Sequence, residues 1–441
     1  MLLVICTWCG QGNVMGQVLE EYIAEGLKNN QQMLREAMQV DESRLSQAQA
    51  KGMMLPTVTF DASYTLAGGG RTIDFPVGDL LNPVYGTLNQ LTDSDQFPQI
   101  ANVNEQFLPN NFHETKIRIL QPLFNSDIYY NRLISGNLLT SAEAKEATYR
   151  MELIKQIKVG YYSYLQAVRA VEIYDANQQS LTELVRFNEA RFKADQITKD
   201  EVYRASYELE QLIADRTAAV SQRASAQAYF NFLLNKPATT SITIDSALTY
   251  ALSQKQVSVE KALENRTEMR QLLAAEEAQL NVIKMARAKR YLPTLNLVTD
   301  IGYQGFDYTF DSNQDFWLVN ISLNWNLFSG NRNRYQVQKS TLQHRMISSQ
   351  QQELERAIGV EVVKATANLQ AAQSAETARQ KAVLAADRSL TIINSRYKAG
   401  QALLIEFLDA QSSLLTAQLN ASVTKYQLLT RQAELDRVLA Y

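Results

Sequence analysis

Four stretches of the chain alternate apolar and polar positions with a period of two. Across residues 57–66, Val58, Phe60, Ala62, Tyr64 and Leu66 alternate with Thr57, Thr59, Asp61, Ser63 and Thr65. Across residues 294–303, Leu295, Leu297, Ile301 and Tyr303 alternate with Thr294, Asn296, Asp300 and Gly302. Residues 317–328 are stricter: Trp317, Val319, Ile321, Leu323, Trp325 and Leu327 are apolar, and Asn320, Ser322, Asn324 and Asn326 lie between them. The stretch near residue 120 is noisier, with Ile117, Ile119 and Leu123 against Lys116 and Arg118. Period two predicts strands with one oily and one wet face. Lengths of about ten residues match the tilted strands of a membrane barrel, and tryptophans bracketing aliphatic residues opposite asparagines fit lipid outside and water inside. The smallest such barrels have about eight strands, so four strands require several chains to share one.

Between the strands the pattern is helical. The eight prolines leave residues 123–236 and 294–441 without any, and both tracts are rich in Ala, Gln, Glu, Leu and Lys. Proline-free sequence of this composition favours long helices. In the first tract Ala147, Met151, Ile154, Ile157, Tyr161, Leu165 and Val168 recur at steps of three and four. A stripe this narrow predicts long helices packed side by side, as in a coiled coil.

The same plan occurs twice. "MLPTVTFDASY" at 54–64 resembles "YLPTLNLVTDIGY" at 291–303, "IRILQPLFNSDIYYNR" at 117–132 resembles "ISLNWNLFSGNRNRYQ" at 321–336, and "NEARFKADQITKDEV" at 188–202 resembles "INSRYKAGQALLIEF" at 393–407. The spacing from Phe124 to Arg191 is 67 residues and from Phe328 to Arg396 it is 68. A tandem duplication explains both. Each copy reads helix, strand, loop, strand, very long helix, tight turn, helix. The boundaries are a first repeat at 17–237 with a long loop at 67–113, a linker at 238–256, and a second repeat at 257–441. The loop 67–113 carries four of the eight prolines. Roughly 65 helical residues reach about 100 Å at 1.5 Å each, more than a compact globule needs.

Composition narrows the function. A net charge of −3 argues against a nucleic-acid surface. No stretch has about 18 consecutive apolar residues, so any membrane crossing is made by strands. The only cysteines are Cys6 and Cys9, inside the opening "MLLVICTWCG". That opening reads as the tail of an export signal over residues 1–16, with Val14-Met15-Gly16 preceding the cleavage before Gln17. Ile5 and Trp8 precede the two cysteines where a lipoprotein signal wants a small residue, and a Cys-x-x-Cys redox or metal site is the remaining alternative. His113 and His344 have no partner pattern, and the glycines at 68–70 precede a polar, proline-rich segment rather than a helix. Neither a catalytic constellation nor a phosphate cradle follows, and no cofactor is expected.

The repeat, the Leu-Pro strand starts at 55–56 and 292–293, the Leu-Phe pairs and "RYKAGQALLIEFLDAQSSLLTAQ" together resemble the TolC family of outer-membrane efflux and secretion channels. The resemblance implies a mixed α/β membrane protein, whose homotrimer builds one twelve-strand transmembrane β-barrel continued by an α-helical barrel in the periplasm. It implies a passive, non-enzymatic exit duct in the Gram-negative outer membrane, working with a periplasmic adaptor (membrane fusion) protein and an inner-membrane transporter. Ala194, Asp195, Gln196, Ala399, Gly400 and Gln401 then form the adaptor-contacting tip. Gly400 suits a left-handed turn position, which Asp195 tolerates less well, so the first turn is expected to differ slightly from the second. Glu406 and Asp409, three apart on one helix face, match the acidic pair at the family's tunnel constriction. Tyr397 matches an aromatic that helps hold the entrance shut, while Ala402 stands where the family's gating arginine would be. Trp317, Val319, Ile321, Leu323, Trp325 and Leu327 would face outer-membrane lipid, with Phe328 at the handover from strand to helix. A structural coiled-coil scaffold of the envelope is the alternative, and it leaves the amphipathic strands unexplained.

Overall fold

The structure is a computed structural model and describes residues 17–244 and 258–440. The expected signal segment 1–16 and most of the expected linker lie outside the described residues. The elements, in chain order, are α1 (Gln17–Asn29), α2 (Gln31–Gly52), β1 (Thr57–Thr65), β2 (Thr72–Phe75), α3 (Val77–Thr92), β3 (Val103–Gln106), β4 (Phe112–Phe124), α4 (Ser126–Lys193), α5 (Lys199–Leu233), α6 (Val259–Asn265), α7 (Thr267–Tyr291), β5 (Thr294–Phe306), β6 (Asp315–Asn324), α8 (Arg332–Lys398) and α9 (Leu404–Val438).

The proline-free tracts are helical as their composition predicts, apart from the strands β5 and β6 at the start of the second. Helices α4 and α8 have 68 and 67 residues, and α5 and α9 have 35 each. At 1.5 Å per residue the two longest each run about 100 Å. The chain divides into two compact units. One comprises residues 1–45, 136–279 and 342–441, and the other 46–135 and 280–341.

Among the described residues the first unit is helical and has three apolar clusters. The largest packs Leu153, Ile157, Tyr161 and Leu165 of α4 against Leu19 and Ile23 of α1 and Phe230 and Leu234 around the end of α5. A Cβ on Gly26 would lie 2.4 Å from Ile157 Cδ1, so this glycine sets how closely α1 approaches α4. The expected stripe on α4 is corrected in part. Ile157, Tyr161 and Leu165 are buried, but Ala147, Met151, Ile154 and Val168 are only half-buried, and Leu153 is fully buried. Helices on more than one flank shift the covered strip off the simple three-four track.

The leading helix expected of each copy is divided at a single residue. Asn30 separates α1 from α2, and its Oδ1 accepts from Gln32 and Met33 N–H, so it caps α2. Its Nδ2 donates to Leu233 O at 3.0 Å. Arg266 separates α6 from α7, and its Nη1 donates to Val438 O at 3.3 Å. Residues 233 and 438 occupy corresponding places in the two copies. Arg266 is 3% exposed yet fully paired, bonding Glu268 and Glu361 at 2.9 Å, with Arg437 and Glu152 extending the charge network. Such pairing is what allows a buried guanidinium to persist.

The second unit holds the sheet. Its order is β1-β4-β5-β6, every neighbouring pair antiparallel, and among the described residues the outer edges of β1 and β6 are unpaired. The fourth strand ends at Asn324, so Trp325 and Leu327, expected within it, lie beyond its end, and α8 begins at Arg332 rather than at Phe328. The apolar-polar alternation runs on through residues whose backbone no longer pairs, and a side-chain pattern cannot reveal that.

The expected plain loop 67–113 is also corrected. It contains the β2–β3 ladder and the 16-residue α3, and β4 already begins at Phe112. Asn82 and Asn89 each exchange hydrogen bonds with the returning chain at Ile100 and Phe97. Pro76 at the helix entry and Pro83 within it mask this helix from composition-based reading.

Candidate functional site

The strand register sorts the sheet into two faces. On one, Phe60, Ile117, Ile301 and Trp317 form a row across all four strands, and Val58, Ile119, Thr299 and Val319 form the next. Leu297 with Ile321 and Leu295 with Leu323 extend it. Many of these side chains are unusually exposed for their type, Phe60 at 72% and Trp317 at 77%, while Ile119, Leu295 and Leu297 are half-buried. Val319, Ile321 and Leu323 are exposed likewise, as are Trp325 and Leu327 beyond the strand end. Single exposed apolar residues are ordinary on a protein surface, but a largely apolar sheet face spanning four strands marks an interaction surface.

The opposite face is mostly polar, although Leu120, Val298, Phe316 and Leu318 also fall on it. It carries Thr59, Asp61 and Ser63 of β1, Lys116 and Arg118 of β4, Asp300 of β5, and Asn320, Ser322 and Asn324 of β6. Arg118 grips Asp300 with two hydrogen bonds of 2.8 and 2.7 Å, a bidentate arrangement. Lys116 Nζ lies 3.5 Å from Asp300 and 2.5 Å from Glu114. Gly302 opposite Lys116 makes room, since a Cβ there would meet the Lys116 Cβ at 2.7 Å. Sequence reading missed this cluster. Each residue sits at a polar step of its strand, but only the register between strands brings them together.

At one end of this sheet His113 is fully buried. Its Nε2 lies 2.9 Å from both Thr309 O and Gln314 Oε1, and the Tyr308 and Phe310 rings pack on it. The other histidine, His344, pairs with Glu276 at 3.1 Å. Both have structural partners. Among the described residues no group of three or more His, Cys, Asp or Glu is arranged to hold a metal ion. No described helix is long and apolar enough to cross a membrane.

The helical unit presents two hairpin turns. In the first, Gln196 N–H donates to Arg191 O at 2.9 Å and Asp195 N–H to Phe192 O at 3.0 Å. In the second, Gln401 N–H donates to Arg396 O at 2.8 Å and Gly400 N–H to Tyr397 O at 3.0 Å. Both are Schellman closures with one left-handed residue, Asp195 at φ 54° and Gly400 at φ 73°. The expected difference between the turns is therefore overturned, because a short Asp side chain accepts the left-handed conformation here. Ala194, Asp195, Gln196, Ala399, Gly400 and Gln401 are all exposed.

Beyond the second turn, Glu406 and Asp409 are exposed on α9 while Leu404, Phe407 and Leu408 are buried. Glu406 Oε2 accepts from Leu403 N–H at 2.8 Å and so caps the helix it begins. Tyr397 sits elsewhere. It is 2% exposed, so its side chain lines no surface of this chain. Its hydroxyl donates to Asn188 at 2.7 Å, with Glu201 at 3.4 Å, and its ring packs on Phe187 and Phe407 beneath Arg191. Burial, with the nearby Glu201 carboxylate, raises the Tyr397 pKa, so the hydroxyl keeps its proton. Tyr397 thus ties α8 to α4, α5 and α9. The role of Glu201 was not read from sequence, although it stands at the same place after the first turn as Glu406 does after the second.

Residues 258–440 match the family described as outer membrane efflux protein. Outer membrane protein TolC of Escherichia coli is 19% identical over 316 residues, which cover 68% of this chain. The match spans 64% of the length of that relative. The outer-membrane channel OprN is similar in structure, with a TM-score of 0.79 and 17% identity over 96% of this chain and 90% of that one. VceC of Vibrio cholerae gives a TM-score of 0.76 and 18% identity, covering 96% of each chain. The MtrE channel of Neisseria gonorrhoeae in its open state gives 0.76 and 18%, over 96% of this chain and 89% of that one. At these identities the structural likeness speaks for the fold.

Proposed function

From the premise that this chain is a TolC-family channel protein of the Gram-negative outer membrane, we propose that it forms the exit duct of a tripartite efflux pump or a type I secretion system. The observation that carries this reading is the sheet: one face mostly apolar across four strands, the other mostly polar, and, among the described residues, both edges unpaired. A barrel needs such a sheet but more strands than four. Three copies supply twelve, so the proposed assembly is a homotrimer with one shared transmembrane β-barrel and a long α-helical barrel. The face carrying Trp317, Val319, Ile321 and Leu323 meets lipid, and the face carrying Arg118, Asp300 and Asn320 meets water.

Two structural repeats, 17–237 and 257–441, build each subunit. Hydrogen bonds that recur at corresponding residues support that division, namely Gln196 to Arg191 with Gln401 to Arg396, and Asn30 to Leu233 with Arg266 to Val438. The two turns are the contact for a periplasmic adaptor, which couples the duct to an inner-membrane transporter. Threefold repetition gathers Glu406 and Asp409 into a ring of carboxylates that favours cations. Tyr397 holds the entrance from behind rather than lining it. The duct is passive and uses no cofactor.

Reconstitution of the purified protein into planar bilayers tests the reading. The expected result is a small, cation-preferring conductance from an oligomer that fractionates with outer membranes and changes mobility on heating. A soluble, helical, non-conducting protein would overturn it in favour of an envelope scaffold.

A further inference from the structure

One cavity in the helical unit brings together two unpaired carboxylates and a buried amide oxygen that has no donor. It lies among α4, α5 and α9 and has a volume of about 150 Å³. Glu208, Leu212 and Asp215 of α5 line it from positions i, i+4 and i+7, one stripe of the helix. Leu181 of α4 and Leu408 of α9 complete the apolar floor and share a buried cluster with Leu212. Among the described residues neither Glu208 nor Asp215 has a hydrogen bond or an ion pair.

The amide sets what kind of guest the cavity favours. Asn177 Nδ2 donates to Ile173 O at 2.8 Å, and a backbone carbonyl can only accept. Asn177 Oδ1 therefore faces Gln411, whose Nε2 donates to it at 2.7 Å. That leaves Gln411 Oε1 as an acceptor with no donor, on a side chain that lines the cavity and is 6% exposed. An unpaired buried acceptor beside two carboxylates is relieved by a guest that brings N–H groups and positive charge.

We propose that this cavity binds a short linear aliphatic diamine, one ammonium on Glu208, the other on Asp215 and the methylene chain over Leu212. Gln411 Oε1 accepts one of its N–H groups. Seven residues of helix separate the carboxylates by a rise of about 10 Å. Oxygens that share one hard metal ion stand within about 5 Å of each other, because each lies about 2.3–2.6 Å from it. A guest charged at both ends spans what a single ion does not. The volume equals about five waters, which suits a short chain and excludes a bulky amine. The second copy does not repeat the site. Asp195 and Gly400 align the turns at an offset of 205, and the residues at that offset from Glu208 and Asp215 are Ser413 and Asn420. The inference goes beyond the channel reading and does not depend on it.

Isothermal titration calorimetry of the purified full-length chain tests the site. The parent carries Glu406→Gln and Asp409→Asn, so that the exposed carboxylates of α9 do not compete. The titrants are 1,4-diaminobutane, butylamine and magnesium chloride. Diaminobutane is expected to bind saturably at one per chain, about tenfold or more tighter than butylamine, because its second ammonium binds intramolecularly. Glu208 is half-buried and Asp215 exposed, so Glu208→Gln and Asp215→Asn should keep the helical content of the parent. Each is expected to bring diaminobutane down to the affinity of butylamine. Absence of saturable binding would overturn the proposal, as would butylamine binding as tightly as the diamine. Full affinity in both variants would put the diamine elsewhere and overturn it too. Displacement of diaminobutane by an equal concentration of magnesium would replace the diamine with a metal ion as the guest.

Discussion

At the first hairpin, Gln196 N–H reaches back to Arg191 O; at the second, Gln401 N–H reaches Arg396 O with the same geometry. The helices leaving these turns then diverge. Helix α5 exposes Lys199, Tyr203, Arg204 and Tyr207, whereas α9 exposes Ile405, Glu406 and Asp409 and buries Leu404 and Leu408. The residues before the turns differ as well. Tyr397 is 2% exposed, and Phe192 at the corresponding place is 38% exposed. The difference teaches that backbone closure and surface chemistry are set separately. A short local run fixes the turn, and the next helical turns are free to carry different side chains in the two copies.

The largest effect is expected at the Tyr397 position. Tyr397→Ala removes a buried ring and should cost about 3–5 kcal/mol of local stability. Phe192→Ala, at its exposed counterpart, should stay within about 1 kcal/mol. Hydrogen exchange at the two tips reads both, and equal losses would erase the distinction between them. Tyr397→Phe keeps the ring but strands Asn188 Oδ1, at about 1–3 kcal/mol.

Backbone substitutions come next. Gly400→Val forces a β-branched residue to positive φ and should cost about 1–2 kcal/mol. Asp195→Gly should be neutral or slightly stabilising in the same exchange measurement. If both substitutions were neutral, the shared closure would not hold the tips.

Alkaline pH should act through Tyr397, which ties the second hairpin to Asn188 and Glu201 beside the first. The folded Tyr397 pKa is raised above its unfolded value, so the stabilisation is complete below about pH 10 and is lost as pH rises through the folded value. Tyrosinate absorbance followed against tip exchange would show that loss at the second hairpin in wild type and not in Tyr397→Phe. The smallest effect is capping. Glu406→Ala should cost about 0.5–1 kcal/mol by freeing the Leu403 N–H, and Glu406→Gln should restore most of it. Helix-end exchange at residues 403–406 distinguishes the two.

Much of this architecture was legible in the sequence because its signals are local and periodic. Proline-free tracts announced α4 and α8, and alternation announced β1, β5 and most of β6. The Arg-aromatic-Lys-Ala runs located both turns. What stayed hidden depends on register or on distant partners. Lys116, Arg118 and Asp300 become a cluster only when β4 pairs with β5. Glu201 and Asn188 gain meaning only when Tyr397 reaches them from a helix some 200 residues away. Helix α3 hid behind its prolines, and the end of β6 at Asn324 was set by backbone pairing that the alternation of Trp325 and Leu327 outlasts.

Reversal potential across a salt gradient in planar bilayers tests the proposed channel most directly, because it reads the charge that the proposed ring of Glu406 and Asp409 would bring to the pore. Wild type should prefer cations, and Glu406→Gln combined with Asp409→Asn should move the reversal potential towards zero while single-channel currents persist. Arg204→Gln, which removes the positive charge at the place of Asp409 in the first copy, should move it the other way. Unchanged selectivity in the double variant would contradict the account.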